Sequence, residues 1–285
     1  MAVILLLLTL QSIPGVALTG TLHNPRVKES SGIAASRAHP GVLWTHNDSG
    51  DDAYVYATDL SGADRGGVRI RGARAGDWED IALGPCPTQR AACLYIADTG
   101  DNEMARKSVV IYAVAEPDPP DRQSGPVRSA PAAALRLKYV GGPDDVEAMY
   151  VSPRDSALYL VSKGRRRVIQ LYRVPRNAWG RDTVVTASLL QRLPIPPFAR
   201  LGRLVTGAAI RPDGRLVAIR TYAEIYTFVP GEGGRLMPSG RPVCNITGLE
   251  VQGEAIDFLD DSTLVLTSEA DRRGHGSIHA VRCPE

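Results

Sequence analysis

Apolar and polar positions alternate in short runs along almost the whole chain. Examples are VLWTH (42–46), AYVYATDL (53–60), CLYIAD (93–98), VVIYAV (109–114), ALRLKYV (134–140), ALYLVS (157–162), VIQLYRV (168–174), RLVAIR (215–220), EIYTFV (224–229), TLVLTS (263–268) and SIHAV (277–281). A period of two is the signature of strands whose side chains point to opposite faces of a sheet. Gly, Pro, Asp and Ser separate the runs, and long amphipathic helical patterns are missing. Many short strands at even spacing describe a sandwich, a barrel or a propeller, and internal repetition decides among them.

One pattern recurs five times: a polar residue, a small residue, an apolar run, a turn, a second strand, a polar loop and a third strand. Its opening segments are ESSGIAAS (29–36), DWEDIALG (77–84), DVEAMYVS (145–152), LVTGAAIRP (204–212) and QGEAIDFL (252–259). A fourth run precedes the next copy: GVRIRG, ALRLKYV, LLQRLPI and RPVCNIT. Four strands per repeat is the content of a propeller blade. The last copy ends after its third strand, and an orphan run, LTGTLHNPRV (18–27), precedes the first. This predicts an all-β, five-bladed β-propeller in which residues 18–26 supply the missing strand of the last blade, leaving no open edge. The 81–147 and 149–206 intervals are longer than the others, so six blades is the alternative count. The Pro-rich EPDPPDRQSGPVRSAP and the turn-like RNAWGRD read instead as long connections.

Aligning the copies on their first strands superposes Ser31, Glu79, Glu147, Thr206 and Glu254. Innermost strands face the central channel, so equivalent residues form a ring. Three carboxylates crowded in a channel repel one another unless protonated or neutralised by a cation, and an inward-reaching Lys or Arg is one possible counter-charge. An all-oxygen donor set with several carboxylates suits Ca²⁺ and not Zn²⁺ or Cu²⁺, which favour His or Cys. The loops after the second strands collect at one mouth. The first two are acidic and carry Asn47, Asp48, Asp98 and Asn102; the next two are basic and carry Lys163, Arg165 and Arg220. This division suits a metal-bound anion, with Asp48 or Asp98 as general base and Asn47, Asn102, Lys163, Arg165 and Arg220 as substrate contacts.

The net charge of +2 offers no electrostatic footprint for nucleic acid. The first ten residues, MAVILLLLTL, form an apolar run, followed by Pro14-Gly15 and a small-x-small site at Gly15-Val16-Ala17. This is the layout of a signal peptide over 1–17, leaving 18–285 as one propeller domain that is secreted or periplasmic. The run is well below the length needed to span a bilayer, and no second apolar stretch of spanning length exists. Four cysteines suit export, and their placement predicts bridges Cys86–Cys93 and Cys244–Cys283. No nucleophile elbow, Walker loop or zincin motif occurs.

The ring and the blade order resemble the calcium-activated nucleotidases, the apyrase family. Trp78-Glu79 and Glu147-Ala148 are similar to that family's Glu neighbourhoods, and Gly253-Glu254-Ala255-Ile256-Asp257-Phe258 is similar to its Glu-Gly-(Ile/Leu)-Glu-Phe segment. The resemblance implies a five-bladed propeller with a central Ca²⁺ held by Ser and Glu residues, one per blade. Asp98-Thr99-Gly100-Asp101-Asn102 replaces the family's Lys-Glu-Trp segment, and its paired Arg is matched only in part by Arg165-Arg166. The chain also looks like secreted bacterial propellers of unassigned function. Three functions are therefore open: a Ca²⁺-dependent hydrolase of phosphate-containing substrates acting on a small anion, a non-catalytic binding propeller with structural Ca²⁺, and a lactonase or esterase.

Overall fold

The computed structural model describes residues 15–120 and 127–285, and all its long elements are strands. Strand β1 (Val16–Thr21) opens the described chain. The first repeat contributes β2 (Ser30–Ala35), β3 (Leu43–Asn47), β4 (Tyr54–Thr58) and β5 (Gly67–Arg71). The second supplies β6 (Trp78–Pro85), β7 (Ala92–Asp98) and β8 (Val109–Ala115), then β9 (Val127–Pro131) and β10 (Ala133–Tyr139). The third holds β11 (Val146–Val151), β12 (Leu158–Ser162), β13 (Gln170–Val174) and β14 (Val185–Arg192). The fourth holds β15 (Val205–Ile210), β16 (Val217–Thr221), β17 (Glu224–Pro230), β18 (Leu236–Pro238) and β19 (Cys244–Asn245). The last holds β20 (Gly253–Phe258), β21 (Leu264–Ala270) and β22 (Gly276–Val281), and β1 completes it by pairing antiparallel with β22.

The strands opening the repeats, β2, β6, β11, β15 and β20, pack each against the next, and β20 returns to β2. This closed cycle is the wall of a β-propeller channel. It is lined closely because these strands carry small residues. A Cβ on Gly32 would meet Ile81 N at 2.6 Å, and one on Gly207 would meet Glu254 O at 2.8 Å. Apolar side chains on the outer faces fill the wedges between sheets, as with Met149, Tyr172 and Leu137 between the second and third repeats. Leu171, Ile219 and Phe228 do the same between the third and fourth.

Two expectations change in detail. Proline at 238 and 242 and glycine at 240 break the fourth run of repeat four, so the fourth strand is the short β18. RPVCNIT contributes only the two-residue pairing of β19 with the start of β17. The Pro-rich connection is not all loop: β9 runs back to pair in parallel with β5, and residues 121–126 within it lie outside the description. A second parallel pairing, β10 with β14, joins repeats two and three into one sheet. Of the segment read as a signal peptide, residues 1–14 lie outside the described residues, and β1 begins at Val16. The bridges Cys86–Cys93 and Cys244–Cys283 are both formed. Among the described residues no helix is long and apolar enough to cross a membrane.

Candidate functional site

Each of the five aligned polar residues sits on a β-bulge. The pairing of every inner strand with its neighbour skips one residue, and the residues skipped are Ser31, Glu79, Glu147, Thr206 and Glu254. A bulge re-aims the side chain that it leaves unpaired. Here it recurs at the second residue of every inner strand, where the second strand of each repeat ends and its polar loop begins. All five residues are buried. Ser31 donates its hydroxyl to Glu79 O at 2.8 Å, tying the first repeat to the second.

Acids gather on this ring. Carboxylate oxygens of Asp48, Asp77 and Glu79 lie within 4.8 Å of one another, as do those of Glu79, Asp145 and Glu147, so Glu79 belongs to both groups. Either group could hold a metal ion. Glu254 accepts from Gln252 Nε2 at 3.1 Å and from the Tyr222 hydroxyl at 3.3 Å. Burial, then the charges of Glu147 and Asp48, drive the Glu79 carboxyl well above its ordinary range. Burial and the neighbouring Asp77 lift Asp48 to about 7, and burial with Glu254 and Glu29 lifts Glu269 to about 7. Burial leads each of these shifts and like charges add to it, so the uncharged carboxyls are favoured at this mouth.

Lys163 reaches the ring itself: its Nζ lies 2.7 Å from Glu147 Oε1. Burial opposes its ammonium, yet the Glu147 carboxylate holds it above its usual range. It balances a single charge of the ring. Of the buried side-chain oxygens without a hydrogen-bond partner among the described residues, two lie here: Thr206 Oγ1, on a residue 1% exposed, and Asp48 Oδ1; the others belong to Glu116, Tyr139 and Tyr150. A buried polar atom without a partner is costly, and in native proteins it commonly marks an ion or water site.

The other residues singled out from sequence fall differently. Asp98 is buried and saturated, accepting from Arg106 Nη2 at 2.7 Å, Gly76 N at 3.2 Å and Asp77 N at 3.3 Å. It shapes the turn that presents Asp77 and is not free to act as a base. Asn47 accepts from Lys28 N and Glu29 N and donates to Arg26 O and Asp51 Oδ2, bracing the entry to the first repeat. Arg220 is fully buried, paired with Glu250 and donating to Ala255 O at 2.6 Å, so it clasps the fourth repeat to the last, and its charge acts on the ring's Glu254 from behind. Arg165 bonds both Asp145 and exposed Asn102. Basic and acidic loops therefore interleave as ion pairs instead of facing each other in halves.

Asp77 and Asp145 escaped the alignment, although a signal for them exists. They stand two residues before Glu79 and Glu147, and the same register gives Glu29, Leu204 and Gln252 in the other repeats. A second tier thus rides above the ring and is acidic in the first three repeats.

No protein-family profile matches the chain, and no characterised protein matches it in sequence. Solved structures of similar shape include a chain of a nidogen/laminin complex, at 13% identity and TM-score 0.48, covering 85% of this chain and 73% of that one. They also include the PQQ-bound aldose sugar dehydrogenase of Streptomyces coelicolor, at 13% identity and TM-score 0.48, covering 93% and 97%. A glucose dehydrogenase matches at 11% identity and TM-score 0.49, covering 94% and 99%.

Proposed function

We propose that the chain is an exported β-propeller that binds Ca²⁺ at one mouth of its channel and hydrolyses a phosphate-containing substrate there, in the manner of the nucleotidases it resembles. The observation that carries the cation is the ring: five bulged oxygen side chains, one per repeat, with Thr206 Oγ1 and Asp48 Oδ1 left unpartnered. The donor set fits a hard ion. Glu79, Asp48, Asp77, Glu147 and Asp145 offer carboxylates, Thr206 and Ser31 offer hydroxyls, and no His or Cys is among them. Two disulfides suit an oxidising compartment.

When bound, Ca²⁺ would supply Lewis-acid polarisation of a phosphoryl oxygen. Asp48, whose carboxylate lies within 4.8 Å of that of Glu79, is the group that would take a proton from water, and Asp77 shares its hydrogen bond. Asp98 holds the turn that orients Asp77. Arg165, beside Asn102, would contact an incoming anion.

A second reading, Ca²⁺ binding without catalysis, has one observation in its favour. Lys163, Arg165 and Arg106 are each already paired with a carboxylate, which leaves little free positive charge at the ring itself. Titration calorimetry with Ca²⁺, followed by hydrolysis assays with nucleotides, p-nitrophenyl phosphate and lactones in Ca²⁺ and in chelator, separates the readings. Binding with Ca²⁺-dependent phosphate release supports the hydrolase, and binding without turnover supports the second reading. Turnover of lactones alone would make the chain a lactonase or esterase, and absence of Ca²⁺ binding defeats all metal-based versions.

A further inference from the structure

The acid tier above the ring breaks at the fourth repeat, where Leu204 stands in place of a carboxylate and Thr206 in place of a ring glutamate. On that side a groove of about 670 Å³ opens, lined by Arg165, Arg167, Arg200, Pro197, Phe198 and Leu204. Arg167 and Arg200 are exposed, and neither guanidinium makes a hydrogen bond or ion pair among the described residues. Arg167 holds a left-handed backbone, φ 63°, which a non-glycine residue adopts at a cost. Its N–H is fixed to Gly164 O at 3.0 Å, so the strained turn is a defined one. Phe198 is 51% exposed beside these unpaired cations. The groove also meets the acidic mouth directly, because Arg165 lines the one and bonds Asp145 of the other.

We propose that this groove is the substrate subsite, and that it takes a phosphate monoester bearing a flat aromatic group. The inference rests on the reading of the mouth given above. Planar guanidinium forks match the oxygens of a tetrahedral anion two at a time, which ammonium groups do not. The Phe198 ring offers a face for a planar leaving group. The missing carboxylates at 204 and 206 remove the repulsion that an anion would meet on any other side of the mouth. Arg167 and Arg200 thus replace buried Arg220 in the grip on the anion.

Calorimetric titration of phenyl phosphate and methyl phosphate, each in chelator and in Ca²⁺, tests this. Phenyl phosphate should bind in chelator, and should bind more tightly than methyl phosphate. R167Q and R200Q should each weaken it by about tenfold, the loss of one charge-assisted contact. F198A should abolish the preference for phenyl over methyl while retaining the methyl phosphate affinity. Ca²⁺ affinity should be unchanged in all three variants, whose altered side chains are exposed and outside the ring. Equal affinity for the two phosphates in the wild type, or wild-type binding by R167Q and R200Q, overturns the proposal. The two readings fail separately: phenyl phosphate binding without Ca²⁺ binding sinks the metal centre and keeps the groove, and the converse sinks the groove alone.

Discussion

Glu79 is the place to press hardest, because it belongs to both acid groups. Burial, and then the charges of Glu147 and Asp48, hold the Glu79 carboxyl well above its ordinary range, which favours the protonated form when no cation is bound. Glu79→Gln copies that protonated state in shape and charge. In chelator its melting temperature should stay within about 2 °C of wild type. In Ca²⁺ the two should part. At Ca²⁺ one hundred times its Kd the wild type gains about 2.7 kcal/mol, or roughly 5–10 °C for a domain of this size. Losing a shared carboxylate should weaken Ca²⁺ about 100-fold, so at that concentration the variant gains only about 0.4 kcal/mol, near 1 °C. Differential scanning fluorimetry across a Ca²⁺ series reads both. If Glu79→Gln melts several degrees higher in chelator and neither protein responds to Ca²⁺, the ring stores repulsion for some other purpose. An equal Ca²⁺ response in both places the ion elsewhere.

Four further outcomes are expected. Asp48 and Glu269 are lifted to about 7, so the folded protein keeps protons that the unfolded chain has lost above about pH 4. Stability in chelator should accordingly be greatest at acidic pH and fall as pH rises toward 7, and saturating Ca²⁺ should flatten the fall; a chelator melt that rises over pH 5–7 contradicts the assignment. Thr206→Val removes an unpartnered hydroxyl at nearly constant volume, so it should be neutral or stabilising by up to about 1 kcal/mol in chelator and should weaken Ca²⁺ binding. Arg220→Met strands buried Glu250 and should cost about 3–5 kcal/mol in urea unfolding, with phosphate affinity of the folded protein intact; lost affinity would return Arg220 to the site. Removing the Cys244–Cys283 bridge, which spans 39 residues, should cost about 4 kcal/mol against about 2.4 for Cys86–Cys93, which spans 7. Thiol titration of the unreduced, unfolded protein should find none free.

The ring was legible in sequence because the bulge repeats: a polar residue followed by a small or short one at the head of each inner strand is a pattern that alignment of the copies exposes. The closure by β1 was legible for a similar reason, a strand-like run with no partner at one end and a repeat short of one at the other. The misreadings share a different cause. Which way a residue at the end of a second strand points depends on the neighbouring repeat. Arg220 and Asp98 looked like loop residues but turn inward to Glu250 and to Arg106 and the 76–77 backbone. Arg167 and Arg200 were invisible as a pair, since they approach each other only through packing of the 163–168 and 196–204 loops.

The two parallel pairings, β9 on β5 and β10 on β14, make the seams of the ring unequal. Backbone hydrogen bonds cross from the first repeat to the second and from the second to the third. Cys244–Cys283 and the Arg220–Glu250 pair hold the fourth to the last. Among the described residues the seam between the third and fourth repeats has no such staple. Apart from apolar packing and the Lys163 O to Val205 N bond, it rests on Gln191, whose side-chain amide pairs with the Leu236 backbone in the way a strand would. The last repeat, by contrast, is tied to the first by the Ser30–Thr267 hydroxyl pair, by Asp257 accepting from Ala35 N and by Arg37 donating to Phe258 O. The propeller is therefore better pictured as a ring with one weak seam than as five equal joints, and that seam should be the first to open in hydrogen exchange. It lies beside the arginine groove, so a molecule seated there would also brace it.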